Sequence, residues 1–357
     1  MDFSLSNSLS KNSIFELDEP VAAGDAISTE EIYLGDTLLD TYEVQSDAIK
    51  GGMGSVWKVY HKRWDTLLAM KRPQPKFFAE GSEERKQNFI HECEAWIDLE
   101  LHPNIVSCYY VREIGGVPTI FSEWLDNGSL KNRIEDGTLY ETEGQEDLAP
   151  EEKERMILAR ILDLAIQFAR GLDYAHESAG HLIHQDVKPD NLLLTHNWEA
   201  KVADFGLARA RAHLKEGAES FGGDETESAD YSFSEKTHMS PTGGYTPAYC
   251  SPEQLRGGKL SRRTDIYSWA ASVLEMFCGS RPWKSGVEAG ENCETYFSGA
   301  VVEIPESLKT LLKQCFDSDP NKRPHDFSAV ERVLTDIFYE TIGQPYERPR
   351  ADRKSVV

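Results

Sequence analysis

"HLIHQDVKPDNLLL", residues 181–194, sets Asp186, Lys188 and Asn191 within six positions of one another, inside a frame of Leu, Ile and Val. Any one of these residues is more often a cap or turn former than a catalyst. Their combination with "KVADFGLA", residues 201–208, is more specific, because it adds Asp204 in a second apolar frame. A phosphoryl donor such as ATP concentrates negative charge, so its chemistry calls for a divalent metal, cationic clamps and a group that orients the attacking hydroxyl. Asn191 and Asp204 are oxygen ligands suited to magnesium, a hard cation that binds few protein groups directly. Asp186 can accept the hydroxyl proton, and Lys188 can offset charge on the transferring group.

The rest of the chain supplies a frame for that chemistry. Tyr42 begins a series of short β-branched or aromatic runs, "YEVQSDAI", "SVWKVYHK", "TLLAMK", "IVSCYYVRE" and "VPTIFSEW". They predict an antiparallel sheet of about five strands. One helix interrupts them, "SEERKQNFIHECEAWIDLEL" (82–101), which opens on Ser82 followed by Glu83 and Glu84 and carries Phe89, Cys93, Trp96 and Ile97 at helical spacing. Beyond residue 150 helices dominate, as in "EKERMILARILDLAIQFARGLDYAHE", "TDIYSWAASVLEMFCG" and "SLKTLLKQCF". Strands followed by helices predict an α+β class with two lobes. Residues 1–37, Ser-rich then acidic, read as a flexible tail, and "YERPRADRKSVV" closes the chain as a short basic tail within 343–357. Residues 135–152 and 214–244 are acidic or polar and read as exposed insertions.

Bulk properties narrow the partners. The 357 residues include 61 acidic against 38 basic, a formal net charge of −23, which argues against non-specific nucleic-acid or anionic-membrane binding. Six cysteines without metal-like spacing, and no run of roughly 20 apolar residues, predict a soluble chain in a reducing, cytoplasmic setting without a membrane span.

Two further stretches bear on an anionic ligand. "AIKGGMGSVWKV" (48–59) places Gly51, Gly52 and Gly54 at a hairpin tip whose backbone can approach a phosphate chain closely, although a glycine-rich hairpin is more often a plain turn. "LLAMK" puts Lys71 in an otherwise apolar strand, where an ammonium needs an anionic partner. The following helix offers Glu92, with Glu94 as the alternative.

Together these residues resemble a eukaryotic-type (Hanks-type) protein Ser/Thr kinase domain over roughly residues 38–342. The matching motifs are "GGMGSV", "AMK", "HPNIV" (102–106), "HQDVKPDN", "DFG" (204–206), "TPAYCSPEQ" (246–254), "TDIYSWA" (264–270) and "DPNKRP" (319–324). The "GGMG" loop is similar to that of bacterial members. The resemblance implies a small antiparallel-sheet lobe (38–122) with one regulatory helix, a larger helical lobe (126–342) and ATP with Mg2+ between them. An activation segment, 204–253, carries the long polar insertion. It also implies roles. Lys71 holds the α and β phosphates and pairs with Glu92. Ser122 is a small gatekeeper, the backbones of Glu123 and Leu125 address adenine, and Val56, Ala69 and Leu193 sandwich the purine. Glu253 pairs with Arg323, and Asp265 braces the catalytic loop. Asp186 and Lys188 are the catalytic pair, and Asn191 and Asp204 hold the metal.

Three positions depart from the pattern. Ile49 replaces the first glycine of the loop, Ala270 replaces a glycine, and Gln185 replaces the Arg of His-Arg-Asp. Lys188 two residues after Asp186, and Thr246 before Pro-Ala-Tyr, fit enzymes that act on Ser and Thr hydroxyls of proteins, with autophosphorylation expected. The competing expectation is a pseudokinase scaffold, against which stand Lys71, Asp186, Asn191 and Asp204, all present.

Overall fold

The structure, a computed structural model, describes residues 32–51, 54–78, 83–142, 144, 147–178, 180–208 and 246–351. The chain divides into two compact units, Met1–Ala79 with Tyr109–Ser122, and Glu80–Cys108 with Glu123–Val357.

The first unit is built on a seven-stranded sheet in the order β1 (Thr37–Leu38), β2 (Tyr42–Val44), β4 (Gly54–His61), β5 (Thr66–Pro73), β7 (Val117–Glu123) and β6 (Cys108–Ile114), with β3 (Ile49–Lys50) paired to β4. The β4–β5 hairpin sets Val56 opposite Lys71 and Lys58 opposite Ala69. Alternation therefore sorts the side chains: Trp57, Val59, Leu68 and Met70 enter a core with Tyr42, Val44, Ile114 and Phe121, while Val56, Ala69 and Lys71 line the other face. Arg72 faces the core and is buried there. Its Nη2 donates to the Ile114 carbonyl at 3.3 Å, and burial lowers its pKa from the usual guanidinium range.

The ordered sheet starts earlier than the sequence suggests. Ile32 joins the core, and Gly35 and Asp36 exchange backbone bonds with Val44 (2.9 Å each), so 32–37 pack with the sheet. The flexible-tail reading otherwise falls on residues outside those described.

In the second unit α5 (Arg262–Cys278) is buried on all sides from Thr264 to Phe277, as expected of a central helix. Around it lie α3 (Pro150–Glu177), α8 (Glu306–Cys315) and α9 (Phe327–Ile342). Helix α1 (Glu83–Ile97) buries Phe89, Cys93 and Trp96 as its spacing predicts, and groups with this unit rather than with the sheet. The reason is local: Trp96 Nε1 donates to the Val106 carbonyl at 2.9 Å, and Gly206 lies so close to the Glu92 carbonyl that a Cβ would sit 2.4 Å from its oxygen.

The insertion at 135–152 is less exposed than its composition suggests. Leu139 is fully buried, Tyr140 donates to the Met276 carbonyl (2.7 Å), and Arg160 Nη1 donates to the carbonyls of Thr138, Leu139 and Glu141 (3.4, 2.9 and 2.8 Å). Three carbonyls gathered by one guanidinium hold this turn against the helices, a partner that composition alone does not reveal. The insertion at 214–244 lies outside the described residues. Residues 346–350 are not a free tail either, since Tyr346, Arg348 and Arg350 bond to α3, and 352–357 lie outside the described residues.

Arg323 and Glu253 form the pair expected of them, with Nη1–Oε1 at 2.7 Å and Nη2–Oε2 at 2.8 Å. Arg323 also donates to the carbonyls of Asp317 (2.8 Å) and Arg263 (2.9 Å). Truncating it strands a mostly buried carboxylate, so Arg323→Ala should lower stability by about 3–5 kcal/mol in denaturant unfolding. A change below about 1 kcal/mol would place the pair among surface ion pairs of little worth.

Candidate active site

Segment 181–191 is a loop whose backbone is held at strained points. Gln185 (φ +66°) and His181 (φ +44°) adopt left-handed conformations unusual for residues with a Cβ. The Asp265 carboxylate, on α5, accepts the amide protons of His184 (Oδ2) and Gln185 (Oδ1), both at 2.8 Å. His176 Nε2 meets the same carboxylate at 2.8 Å. From the other side, Gln254 Nε2 donates to the Gln185 carbonyl at 2.8 Å. The peptide groups flanking Gln185 are thus fixed at both N–H and C=O, and the next residue is Asp186.

His184 is fully buried, and burial lowers its pKa, so the ring is neutral at physiological pH. Its bonds are those of the Nε2–H tautomer: Nδ1 accepts the Asp186 N–H at 3.3 Å, and Nε2 donates to the Ala203 carbonyl at 2.8 Å. The ring packs 4.8 Å from the buried Phe205. One histidine therefore ties the loop carrying Asp186 to the segment carrying Asp204.

Asp186 itself is 4 % exposed. Its Oδ1 accepts from the Thr246 amide (3.0 Å) and hydroxyl (2.8 Å), and its Oδ2 from Lys188 Nζ (2.7 Å), which also contacts Thr246 Oγ1 at 2.7 Å. These contacts bring together Asp186, Lys188 and the start of "TPAYCSPEQ". Thr246 leads a short turn, Pro247–Tyr249, and Ser251 caps α4 (Pro252–Leu255) through a reciprocal capping box with Gln254. Ser251 therefore has a capping function of its own.

Asn191 and Asp204 are brought to one end of a small hairpin. β8 (Leu192–Leu194) pairs antiparallel with β9 (Ala200–Val202), Leu192 opposite Val202, and the Ala203 amide donates to the Asn191 carbonyl at 2.9 Å. Asn191 Nδ2 donates to the Asp186 carbonyl at 2.8 Å, which fixes the amide flip and leaves Oδ1 as the oxygen that could face a cation. Asp204 has φ +67° and Gly206 φ +74°. One carboxylate and one amide oxygen fit magnesium, which retains several of its waters.

The remaining expected residues fall in both units. Leu193 is the half-buried residue of β8 between two buried leucines, and Leu125 is buried. The Glu123 amide donates to the Ser107 carbonyl (2.9 Å), so its backbone contribution to a ligand reduces to the carbonyl oxygen. Its side chain pairs with Lys201 at 2.6 Å, a contact that nothing in the sequence announced. Ser122 is buried in the sheet unit. Gly54 has a structural reason of its own, because a Cβ there would lie 2.1 Å from the Arg72 carbonyl on β5. Ile49 is exposed and faces Val56 across the ladder. Gly52 lies outside the described residues, and the pairing expected between Lys71 and Glu92 joins the two units and belongs to the proposals below. Gln254 was missed, since a glutamine in a helix turn carries no spacing signal.

The protein kinase domain family profile matches residues 42–336. The chain belongs to the protein kinase domain family. It is 27% identical, over 88% of its length, to a probable LRR receptor-like serine/threonine-protein kinase of Arabidopsis thaliana, of which it spans 30%. It is 31% identical, over 72% of its length, to a receptor-like serine/threonine-protein kinase of the same plant, of which it spans 61%. The kinase domain of Mycobacterium tuberculosis PknI shares the fold, with a TM-score of 0.57, 20% identity, and coverage of 86% of this chain and 99% of that one.

His102 gives a pH signature that does not depend on catalysis. Burial first, then the charges of Arg170, Arg350 and Lys201, lower its pKa to about 4. Its Nδ1 accepts the Asn104 amide at 3.1 Å, and its ring stacks on Tyr174 at 4.4 Å. The folded state keeps His102 neutral while the unfolded chain protonates it near pH 6.5, so stability is full above that value and falls on acidification, by up to about 1.4 kcal/mol per pH unit. Urea unfolding at pH 6.5 and 5.0 should show a drop of about 1.6 kcal/mol from this residue, reduced in His102→Gln; an equal drop in the variant would assign the acid sensitivity elsewhere.

Proposed function

We propose that the chain is an active protein serine/threonine kinase, transferring the γ-phosphoryl group of ATP to Ser and Thr hydroxyls of protein substrates and to its own. The observation that carries this reading is the Asp186 carboxylate, braced through Asp265, His184 and Gln254 and bonded to Lys188 and Thr246. A base held this firmly accepts the proton of an incoming hydroxyl with little reorganisation. Lys188 places an ammonium beside that base, where negative charge develops during transfer. Asn191 and Asp204 would hold magnesium, which would supply positive charge against the phosphates. The hairpin tip of Gly51, Gly52 and Gly54 lies against the phosphates, with the Gly51 N–H itself donated to the Gly54 carbonyl at 2.8 Å, and Lys71 clamps the α and β phosphates, oriented by Glu92. Val56, Ala69 and Leu193 enclose the purine, with the Glu123 carbonyl and Leu125 backbone at its edge. The Ser/Thr class is supported by Lys188 and Thr246 meeting at 2.7 Å, and by relatives carrying that designation.

The assay is transfer of label from radiolabelled ATP to a generic basic protein. Asp186→Ala should lower incorporation by about 10²–10⁴-fold, the usual contribution of a positioned general base. Equal label in wild type and variant would overturn the enzyme reading and leave an ATP-binding scaffold.

Gln185 makes this a non-RD kinase in our reading. The Arg at this position in other members receives a phosphorylated activation-loop residue, whereas the neutral side chain of Gln185 carries no charge for such an ion pair, and its backbone is held by Asp265 and Gln254. Replacing Ser220, Thr226, Ser228, Ser232, Ser234, Thr237, Ser240 and Thr242 together by Ala should leave the catalytic rate within about tenfold, a margin of ~1.4 kcal/mol. A larger fall, restored by an acidic residue at one of them, would show that phosphorylation of this loop drives activation after all.

A further inference from the structure

Past Gly343, the C-cap of α9, residues 344–351 run without helix or strand and are read at alternate positions by two helices. Asp163 of α3 accepts the Tyr346 hydroxyl (Oδ1, 2.7 Å) and Arg348 Nε (2.9 and 3.0 Å to its two oxygens). Arg170, seven residues along α3, donates Nη1 to the carbonyls of Arg348 (2.9 Å) and Pro349 (3.1 Å), and lies 5.0 Å over the Tyr346 ring. Asp173 accepts Arg350 Nη2 at 2.6 Å, and Arg350 Nη1 lies 3.4 Å from Glu331 of α9. Tyr346 also packs edge-on against Phe338 of α9. Burial, then the Asp163 carboxylate, raises the Tyr346 pKa and keeps its hydroxyl a donor.

Part of this face keeps polar partners of its own, while Arg170 Nη1 and the buried Glu331 Oε2 meet only the segment. Arg170 Nε pairs with Glu331 at 2.7 Å, Asp173 accepts the Ser328 amide and hydroxyl at 3.0 and 2.9 Å, and Asp163 accepts Gln167 Nε2 at 3.1 Å. With the segment in place, the side chains of Arg348 and Arg350 are 36% and 47% exposed, while Asp173 is 3% and Glu331 8% exposed beneath it. Acidic anchors beneath an extended segment that is read through its carbonyls and alternate side chains make the arrangement of a peptide-recognition groove.

We propose that Asp163, Arg170, Asp173 and Glu331 form a peptide-binding site for extended segments of the pattern Tyr-x-Arg-x-Arg, latched in this chain by its own residues 346–350. A tethered segment competes at an effective concentration on the order of millimolar, so the site binds a peptide in trans only once the latch is released.

The test uses the full chain and a fluorescein-labelled peptide of residues 344–351, followed by fluorescence anisotropy. The variant Tyr346→Ala/Arg348→Ala/Arg350→Ala should bind the peptide saturably and at least tenfold more tightly than wild type. Binding should vanish when both arginines of the peptide are replaced by Ala, and when Asp163→Asn and Asp173→Asn are added to the triple variant. No saturable binding by the folded triple variant, equal binding by wild type, or binding that survives loss of the peptide arginines would each overturn the proposal. So would failure of the triple variant to fold, because the face would then require its latch.

Discussion

One carboxylate anchors the catalytic loop. Asp265 sits on a helix buried on all sides and is itself fully buried, yet it accepts two backbone amides and meets a histidine ring. The loop needs such an acceptor because its conformation is not one the backbone takes unaided. Positive φ at a residue with a Cβ carries a cost of about 1–3 kcal/mol, and two buried amides without a partner would each add about 1–3 kcal/mol more. Bonds to an ionised acceptor are the stronger kind, and a helix set among the others gives that acceptor a fixed position.

From Asp265 the polar contacts spread in two directions. One runs through His184 to the Ala203 carbonyl and so to the segment bearing Asp204. The other runs from the Gln185 carbonyl to Gln254, and from Asp186 to Thr246. The turn between Thr246 and Ser251 has its own anchor, since Tyr249 donates to the buried Glu275 at 2.6 Å, and Glu275 is also paired with Lys131 at 2.6 Å. Loop, turn and central helix thus share one continuous set of bonds, and a change in any of them reaches the Asp186 carboxylate within a few contacts.

The sequence made legible those features whose causes are local. Helical spacing placed Phe89 and Cys93, and the strand runs fell where the sheet has them; the distant Arg323–Glu253 pair and the Asp265 brace came from motif resemblance alone. Features that depend on partners far along the chain were not legible. Leu139 and Tyr140 read as part of an acidic insertion because the arginine and carbonyl that hold them lie on other helices. Tyr346 to Arg350 read as a tail because basic, proline-containing composition says nothing about a groove lined by Asp163 and Asp173. Gln254 and the pairing of Lys201 with Glu123 fall in the same class.

The eight-pair ladder between β4 and β5 has a consequence for how the sheet can fail. Side chains alternate, so sliding one strand by a single residue would turn Lys71 inward and send Met70 outward, exchanging the two faces in one step. The core could not accept the exchange, since its one guanidinium, Arg72, is already matched to a specific carbonyl. Gly54 locks the same register from the end of the hairpin, because only a residue without a Cβ lets the strands approach there. The hairpin therefore behaves as a ruler with a single valid setting, and misfolding of this unit would invert it outright rather than loosen it by degrees.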